Sequence, residues 1–208
     1  MVNRDADNQL LAEIQGFVAE HSDVSVNRFK SGITDWGSEW QGVSPEFLPA
    51  ADLLPSTLSL TIDRTLGLTT AFSKHRGSRK WEQSYTRSDN LVGDDMLVGY
   101  GFAEVIGKNG PFVSEKVRSG IGIWGPDIVY PAHQHVAEEV YVALAGSAEF
   151  SLEGDAPRMV GPGEAVYVKS NRMHGFRTID QPLVVFYIWQ AGDLRQKSNF
   201  AEPGVSRS

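Results

Sequence analysis

The feature that most constrains the fold is a change of pattern near Gly93. From there on, short stretches of strand character alternate with turn signals rich in glycine and proline. The predicted strands cover 96–106, 115–124, 128–135, 139–145, 148–152, 164–169, 174–178 and 183–190. Their connections include Gly125-Pro126, Gly146 and Gly161-Pro-Gly163. About seven or eight short strands at this spacing predict a β-sandwich or a β-barrel.

The first part of the chain has helical character. Within residues 5–21 the apolar side chains recur at helical spacing, at Leu10, Leu11, Ile14, Phe17 and Val18. Ser44-Pro45-Glu46 resembles an N-cap followed by a first-turn proline, which predicts a short second helix. Residues 58–80 are also predicted to be mostly helical. We therefore expect a mainly β protein, with a helical segment (1–92) packed on a barrel (93–197) and a flexible polar tail (198–208).

Composition narrows the classes of function. The 208 residues carry a net charge of −7, which argues against a nucleic-acid or anionic-membrane surface. We find no apolar run long enough for a membrane span, and the first residues lack the apolar core of a signal peptide. The chain has no cysteine, which excludes disulfides and thiolate metal sites and fits a cytoplasmic protein. Any metal must be held by nitrogen and oxygen ligands.

The histidines indicate such a site. His133 and His135 alternate on one predicted strand and therefore share a face, and Glu139 keeps the same parity after a short turn. Taken alone, the pair could be two incidental histidines on a surface strand. With His174 added, three imidazoles and a carboxylate form a ligand set for one divalent ion, of which Zn, Fe(II) and Mn are the favoured candidates. The remaining histidines, His21 and His75, are expected to be surface or core residues.

These residues lie in the register of the cupin superfamily. The spacing from His133 through Glu139 to Gly146 resembles the first cupin motif, and Gly163 and His174 keep the spacing of the second. The chain departs from the motifs at Asp127, Lys169, Asn171 and Thr178, where the family has glycine, proline, glycine and asparagine. Asn commonly replaces glycine where a turn requires a positive φ, so the bend at Asn171 is expected to survive. The resemblance implies a single cupin β-barrel, a double-stranded β-helix of jelly-roll type.

Tyr141 suggests the chemistry. It lies two residues after Glu139, and a nearby divalent cation would favour its phenolate and make it a base at neutral pH. Several aromatic side chains flank the predicted site, namely Tyr130, Tyr187, Trp189, Trp81 and Tyr85. In an arbitrary barrel most would be core residues. Beside a metal they also suit a zwitterion whose carboxylate binds the ion and whose onium group contacts the rings.

The pattern Tyr130-Pro-Ala-His133-x-His135-x3-Glu139-x-Tyr141, followed by His174 and Trp189, is similar to the short single-cupin dimethylsulfoniopropionate (DMSP) lyases of marine bacteria. The resemblance implies a β-elimination that gives dimethyl sulfide and acrylate. It also implies that Tyr141 ligates the metal or acts as the base, and that the metal binds the substrate carboxylate. The implied metal ligands are His133, His135, Glu139, His174 and Tyr141. The implied substrate contacts are Tyr130, His133 and Trp189 and, less directly, Trp81 and Tyr85.

Two other functions stay open from the residues alone. One is a cupin-type non-haem iron dioxygenase acting on a small organic acid or thiol, because the same ligands activate oxygen. The other is a binding module without catalysis. We expect a monomer or a homodimer, and a loop at 107–112 or 36–42 that controls access to the cavity.

Overall fold

Helices dominate the first half of the chain and strands the second. The computed structural model describes residues 2–34, 39–89, 92–194 and 198–200. The α-helices within these residues are α1 (Arg4–Glu20), α2 (Val24–Asn27), α3 (Lys30–Thr34), α4 (Leu54–Thr57), α5 (Asp63–His75) and α6 (Asp94–Gly99). Short 3-10 helices lie at Pro49–Leu53, Leu58–Leu60, Arg76–Ser78 and Arg87–Asp89. None of the helices in these described parts is both long and apolar enough to cross a membrane.

The first helix shows how the helical segment joins the barrel. The side chain of Asn3 caps α1 by accepting a hydrogen bond of 3.1 Å from the backbone N–H of Ala6. The apolar stripe of α1 is buried in one cluster with residues of α5 and of the sheet. Phe17 contacts the ring of Phe186 edge to face, with centroids 6.0 Å apart. The helical segment is therefore packed on the barrel, as predicted.

Two of the local predictions in this half are wrong. No helix begins at Ser44, because Glu46 forms an isolated parallel bridge with Lys80 and its backbone bonds to neighbours of that residue. The helical turn begins instead at Pro49. Likewise, the stretch 96–99 belongs to α6 and the strand begins only at Tyr100. The prediction that 58–80 is mostly helical is confirmed by α5 and the turns beside it.

The strands form one extensively paired sheet that closes as a barrel. They are β1 (Glu39–Trp40), β2 (Trp81–Glu82), β3 (Tyr100–Ile106), β4 (Phe112–Val113), β5 (Val117–Trp124), β6 (Val129–Gln134), β7 (Glu138–Leu152), β8 (Arg158–Val160), β9 (Ala165–Val168), β10 (His174–Gln190) and β11 (Asn199–Phe200). The main order is β1-β4-β3-β5-β10-β6-β11, and β7 pairs with β10, β8 and β9. The predicted mainly β barrel is confirmed.

Two long strands position most of the site. β7 and β10 each join two predicted strands into one, and they pair antiparallel along almost their whole length. Gly146 lies at the bend of β7 with φ of +68°, and a Cβ atom there would collide with the carbonyl oxygen of Pro182. Across this pair Trp189 faces Glu139, and Tyr187 faces Tyr141.

The end of the described chain is also paired. β11 lies against β6, with Asn199 opposite Gln134 and Phe200 opposite His133. The predicted loose tail is therefore wrong for these two residues, and 201–208 lie outside the described residues. The boundary predicted at residue 92 adjoins 90–91, and the loop predicted at 36–42 includes 36–38; these residues also lie outside the described ones.

Candidate metal centre and cavity

Three histidines meet inside the barrel. His133 lies on β6, His174 opens β10, and His135 lies in the turn that follows β6. All three are buried, and their ligand nitrogens lie within 4.8 Å of one another. His174 pairs with His133 across the strands, and their ring centroids are 4.2 Å apart. Sheet register therefore brings together two histidines that lie far apart in the sequence.

Backbone carbonyls orient each imidazole. The Nδ1 atoms of His133, His135 and His174 lie 2.8, 2.8 and 2.9 Å from the carbonyl oxygens of Pro131, Ala137 and Arg172. A carbonyl oxygen only accepts, so each Nδ1 must carry the proton and donate it. In the neutral ring this leaves the lone pair on Nε2. Burial, and then the neighbouring His174, lower the pKa of His133 to about 3, which keeps that ring neutral.

A carboxylate completes the set. Oε2 of Glu139 lies 3.0 Å from Nε2 of His135 and 3.6 Å from Nε2 of His174. Burial alone would raise the pKa of Glu139, but protonated rings at His135 and His174 would outweigh it and hold that pKa at about 2; where those rings are neutral, a bound cation must take their place. The ionised carboxylate thus faces nitrogens whose lone pairs point inward. Nε2 of His174 has no hydrogen-bond partner among the described residues.

This arrangement fits a divalent metal ion. An anionic oxygen and a nitrogen lone pair at 3.0 Å repel each other unless a cation lies between them. Each Nδ1–H is already anchored to a second group, which is how metal-ligating histidines are usually held. We therefore identify His133, His135, His174 and Glu139 as the residues able to hold the ion.

Tyr141 lies next to this set. It follows Glu139 by two positions on β7 and its side chain is buried. The Tyr141 and His174 ring centroids are 6.2 Å apart. Burial and the Glu139 carboxylate raise the pKa of Tyr141 well above its ordinary value. The phenol would therefore need a nearby positive charge to act as a base.

A cavity of about 460 Å³ reaches the site. Glu139 and Tyr141 are part of its wall, whereas the three histidines lie behind it. The rest of the wall is mixed: polar and charged side chains stand beside an aromatic cluster formed by Tyr85, Tyr100, Phe102, Trp124, Tyr130, Tyr187 and Trp189. Tyr130 is at the centre of this cluster, 5.2 Å from Trp124, 5.5 Å from Tyr100 and 6.2 Å from Tyr85 between centroids.

The aromatic residues named from the sequence have different positions. Tyr130 and Tyr85 line the cavity, and Tyr130 also contacts the ring of His133 at 4.7 Å. The prediction that Trp81 lines the cavity is wrong. Trp81 is buried in the cluster between the helices and the sheet, and its indole N–H donates to the carbonyl of Arg76. Trp189 lines the cavity but is covered on both sides, by the ring of His135 and by Arg118.

Among the residues of this wall that the sequence analysis missed are two stacked rings and an ion pair. Tyr100 and Trp124 stack at 4.9 Å, and Arg118 donates from Nε to Oε2 of Glu104 at 2.7 Å. A sequence signal existed for the ion pair, because Glu104 and Arg118 are each charged residues within otherwise apolar strands. The two rings carried no such signal, since aromatic residues are common on barrel strands.

The departures from the cupin motifs are tolerated locally. Asp127 and Asn171 both have φ of +56°, the left-handed conformation that glycine would adopt without strain. The expectation for Asn171 is thus confirmed, and Asp127 behaves in the same way. The hydroxyl of Thr178 accepts from the N–H of Ile128 at 2.9 Å and donates to the carbonyl of Gly125 at 2.7 Å. These bonds fix the turn that enters β6.

Comparison with known families agrees with this geometry. The family model for dimethylsulfoniopropionate lyase matches residues 21–185. The chain belongs to the dimethylsulfoniopropionate lyase family. The match spans part of the helical segment as well as most of the barrel, so both regions of the fold are family features. Membership makes the protein a carbon–sulfur lyase and answers the choice between lyase, oxygenase and binding module that the residues left open.

Individual lyases are similar over most of the chain. The dimethylsulfoniopropionate lyase DddQ of Ruegeria pomeroyi is 36% identical over 154 residues, covering 74% of this chain and 75% of that protein. The crystal structure of DddQ from Ruegeria pomeroyi superposes with a TM-score of 0.86 at 32% identity, covering 97% of this chain and 99% of that one. A putative lyase DddL of Cereibacter sphaeroides is 27% identical over 144 residues, covering 68% of this chain and 57% of that protein.

Proposed function

We propose that this chain cleaves DMSP to dimethyl sulfide and acrylate by β-elimination, with Tyr141 as the base. The proposal rests mainly on the position of Tyr141. It lies beside three inward-facing imidazoles and Glu139, at the wall of an aromatic cavity, in a chain of the DMSP lyase family. DMSP is a zwitterion: its onium end would face the aromatic side chains of this cavity, and its carboxylate end a metal ion held beside Glu139 and Tyr141.

The proposed metal ligands are His133, His135, His174 and Glu139. A divalent ion held there would supply the positive charge that binds the substrate carboxylate, stabilises charge developing next to it and lowers the pKa of the neighbouring phenol. The identity of the ion is proposed only as far as Zn, Fe(II) or Mn, all of which accept nitrogen and oxygen ligands. Tyr141 is proposed as the base; direct ligation by its oxygen is the alternative role.

The onium end of the substrate would lie against the rings around Tyr130. A cation within about 6 Å of an aromatic face gains roughly 0.5–2 kcal/mol, depending on how fully water is excluded. Tyr85, Tyr100 and Trp124 surround Tyr130, and all four side chains are buried. Trp189 is proposed to contact the substrate with its edge, because both of its faces are covered.

The proposed reaction needs one proton acceptor. The Tyr141 phenolate takes the proton from the carbon next to the carboxylate, and the electron pair of that C–H bond forms the new double bond. The bond between the β-carbon and sulfur breaks with both electrons going to sulfur. Dimethyl sulfide therefore leaves as a neutral molecule and needs no general acid. Tyr141 then returns its proton to solvent, and the burial of its surroundings excludes competing water during the step.

The direct test measures headspace dimethyl sulfide and acrylate from DMSP with purified protein under anaerobic conditions. Equal amounts of the two products, lost after dialysis against a chelator and restored by a divalent ion, would support the proposal. Absence of both products from metal-loaded protein would refute it. Consumption of oxygen with a small organic acid or thiol would instead support the dioxygenase.

A further inference from the structure

Trp189 lies between a charged pair and one of the proposed metal ligands. In this part of β10, Trp189 is paired with Arg118 of β5 on one side and with Glu139 of β7 on the other. The His135 ring, whose Nε2 lies 3.0 Å from Oε2 of Glu139, stacks on the indole with centroids 4.0 Å apart and planes 27° apart. The guanidinium carbon of Arg118 lies 5.3 Å from the indole centroid. Opposite faces of the indole therefore carry the imidazole and the guanidinium.

Arg118 is itself fixed in place. Its Nε donates to Oε2 of Glu104 at 2.7 Å, and the Glu104 side chain is almost completely buried. The other oxygen of Glu104 accepts from the backbone N–H groups of Asn109 and Gly110, at 2.7 and 3.1 Å. A carboxylate held by this many donors has one preferred orientation. It therefore holds the guanidinium over the indole.

His135 is the ligand candidate that most needs such support. His133 and His174 lie on paired strands, whereas His135 lies in the turn between β6 and β7. Its hydrogen bond to the carbonyl of Ala137 fixes one atom of the ring but leaves rotation about that bond. A flat surface 4.0 Å away fixes the plane of the ring as well.

We propose that Glu104, Arg118 and Trp189 form a positioning chain that sets the plane of His135 and aims its Nε2 at the metal ion. The inference rests on the metal site of the proposed function, in which Trp189 is also proposed to contact the substrate, whereas Glu104 and Arg118 have no assigned part. Loss of outer partners of metal-binding histidines typically lowers metal affinity by about 10–100-fold. Loss of Glu104, Arg118 or Trp189 should therefore lower the metal affinity by a similar factor.

The test uses Co(II) alone as the probe, with the full-length protein. We expect Trp189→Leu and Arg118→Gln each to weaken Co(II) binding by about tenfold, measured by competition with a chromophoric chelator, and to shift the visible d–d absorption. Trp189→Phe keeps a flat ring and should stay within about threefold of the parent protein. The matched control is Arg4→Gln, which removes a similar cation contact, 5.1 Å from Trp40, in the helical segment. It should leave affinity and spectrum unchanged.

Unchanged affinity and spectrum in both Trp189→Leu and Arg118→Gln would overturn the proposal. So would an equal loss in Trp189→Phe, because a flat ring would then not be the cause. If one variant does not fold, as judged by circular dichroism, the other decides. A parent protein that binds Co(II) but does not cleave DMSP would refute the proposed reaction, and the variants would still decide the positioning role. A parent protein that binds no Co(II) would refute both.

Discussion

Nε2 of His135 lies 3.0 Å from Oε2 of Glu139, although the ring proton of His135 is already committed to the carbonyl of Ala137. Two electron-rich atoms at this distance require a shared cation, either a proton or a metal ion. Nε2 of His174, 3.6 Å from the same carboxylate oxygen, has no other partner among the described residues and can join the same ion. The first prediction follows from this contact.

Replacing His174 with alanine should reduce metal content and activity together. The variant loses one of three imidazole nitrogens and leaves the Glu139 charge less compensated. The affinity for the ion should fall by at least the ~10–100-fold that loss of an outer partner costs. Metal analysis after dialysis and the dimethyl sulfide assay would measure both effects. His75→Ala is the matched control, since His75 lies at the end of α5 and belongs to no metal-ligand group among the described residues. A His174→Ala protein with full metal content would contradict the ligand assignment.

Replacing Tyr141 with phenylalanine should abolish elimination and leave the metal in place. Removal of a general base typically costs about 10²–10⁴-fold in rate. The ring remains to fill its space against Phe150 and Phe176, so the fold should be kept. Turnover of DMSP and bound metal are measured on the same sample. Retained activity would remove the base assignment, and loss of metal would mean that the Tyr141 oxygen is mainly a ligand.

Replacing Tyr130 with leucine should weaken substrate binding more than it slows the chemical step. Loss of one cation contact of ~0.5–2 kcal/mol corresponds to a rise in KM of about 2- to 30-fold. Tyr130→Phe keeps the aromatic face and should change KM little. Separate measurement of kcat and KM for DMSP tests this. An equal rise in KM for both variants would indicate that the hydroxyl, rather than the ring, matters.

The stability of the protein should fall below pH 6.5, in part because of His21. Burial lowers the pKa of His21 below 6.5, and Nδ1 accepts a bond of 3.2 Å from the N–H of Asp23. In the unfolded chain His21 therefore takes up a proton at a pH at which it is still unprotonated in the folded protein. The stabilising contribution is present above pH 6.5 and is lost as pH falls towards the folded pKa.

The free energy of unfolding is measured with urea at a series of pH values from 7.5 down to 5. The parent protein and His21→Gln are compared, both in the presence of a chelator. The free energy of unfolding of the parent should decrease more steeply with falling pH, by up to ~1.4 kcal/mol per pH unit for one proton. Parallel curves for the two proteins would show that His21 does not contribute.

Replacing Gly146 with alanine should destabilise the barrel. A left-handed conformation costs a residue with a side chain roughly 1–2 kcal/mol, and here the added Cβ would also collide with the Pro182 carbonyl. We expect a loss of at least ~2 kcal/mol in the free energy of unfolding, measured with urea. Gly77→Ala is a suitable control, because the space around Gly77 is open. Equal stabilities would mean that the β7 bend relaxes easily.

Much of the candidate site was predictable from the local sequence pattern, because the proposed ligands occupy alternate positions and so share one face of their strands. His133 and His135, and then Glu139 and Tyr141, recur every second residue and so return to one face. The position of His174 was predictable only through the motif spacing, since no local signal shows that β10 pairs with β6. The helix expected at Ser44 does not form, because the pairing of Glu46 with Lys80 outweighs the local N-cap signal.

The contacts of Trp189 could not be foreseen in the same way. Sequence places it at the end of a strand near the site, which suits a substrate platform. Only the strand order shows that β5 and β7 flank β10 at this point, so that Arg118 and His135 cover its two faces. Which faces of a ring remain accessible depends on tertiary contacts, and periodicity does not contain them.

β11 has a consequence for handling the protein. It covers β6 on the side away from β10, and β6 carries His133. If the chain were cut before Asn199, the N–H and C=O groups of β6 would become an open strand edge, which is a template for pairing with another molecule. Shortened versions should therefore self-associate through the edge of β6, the strand that carries the proposed ligand His133.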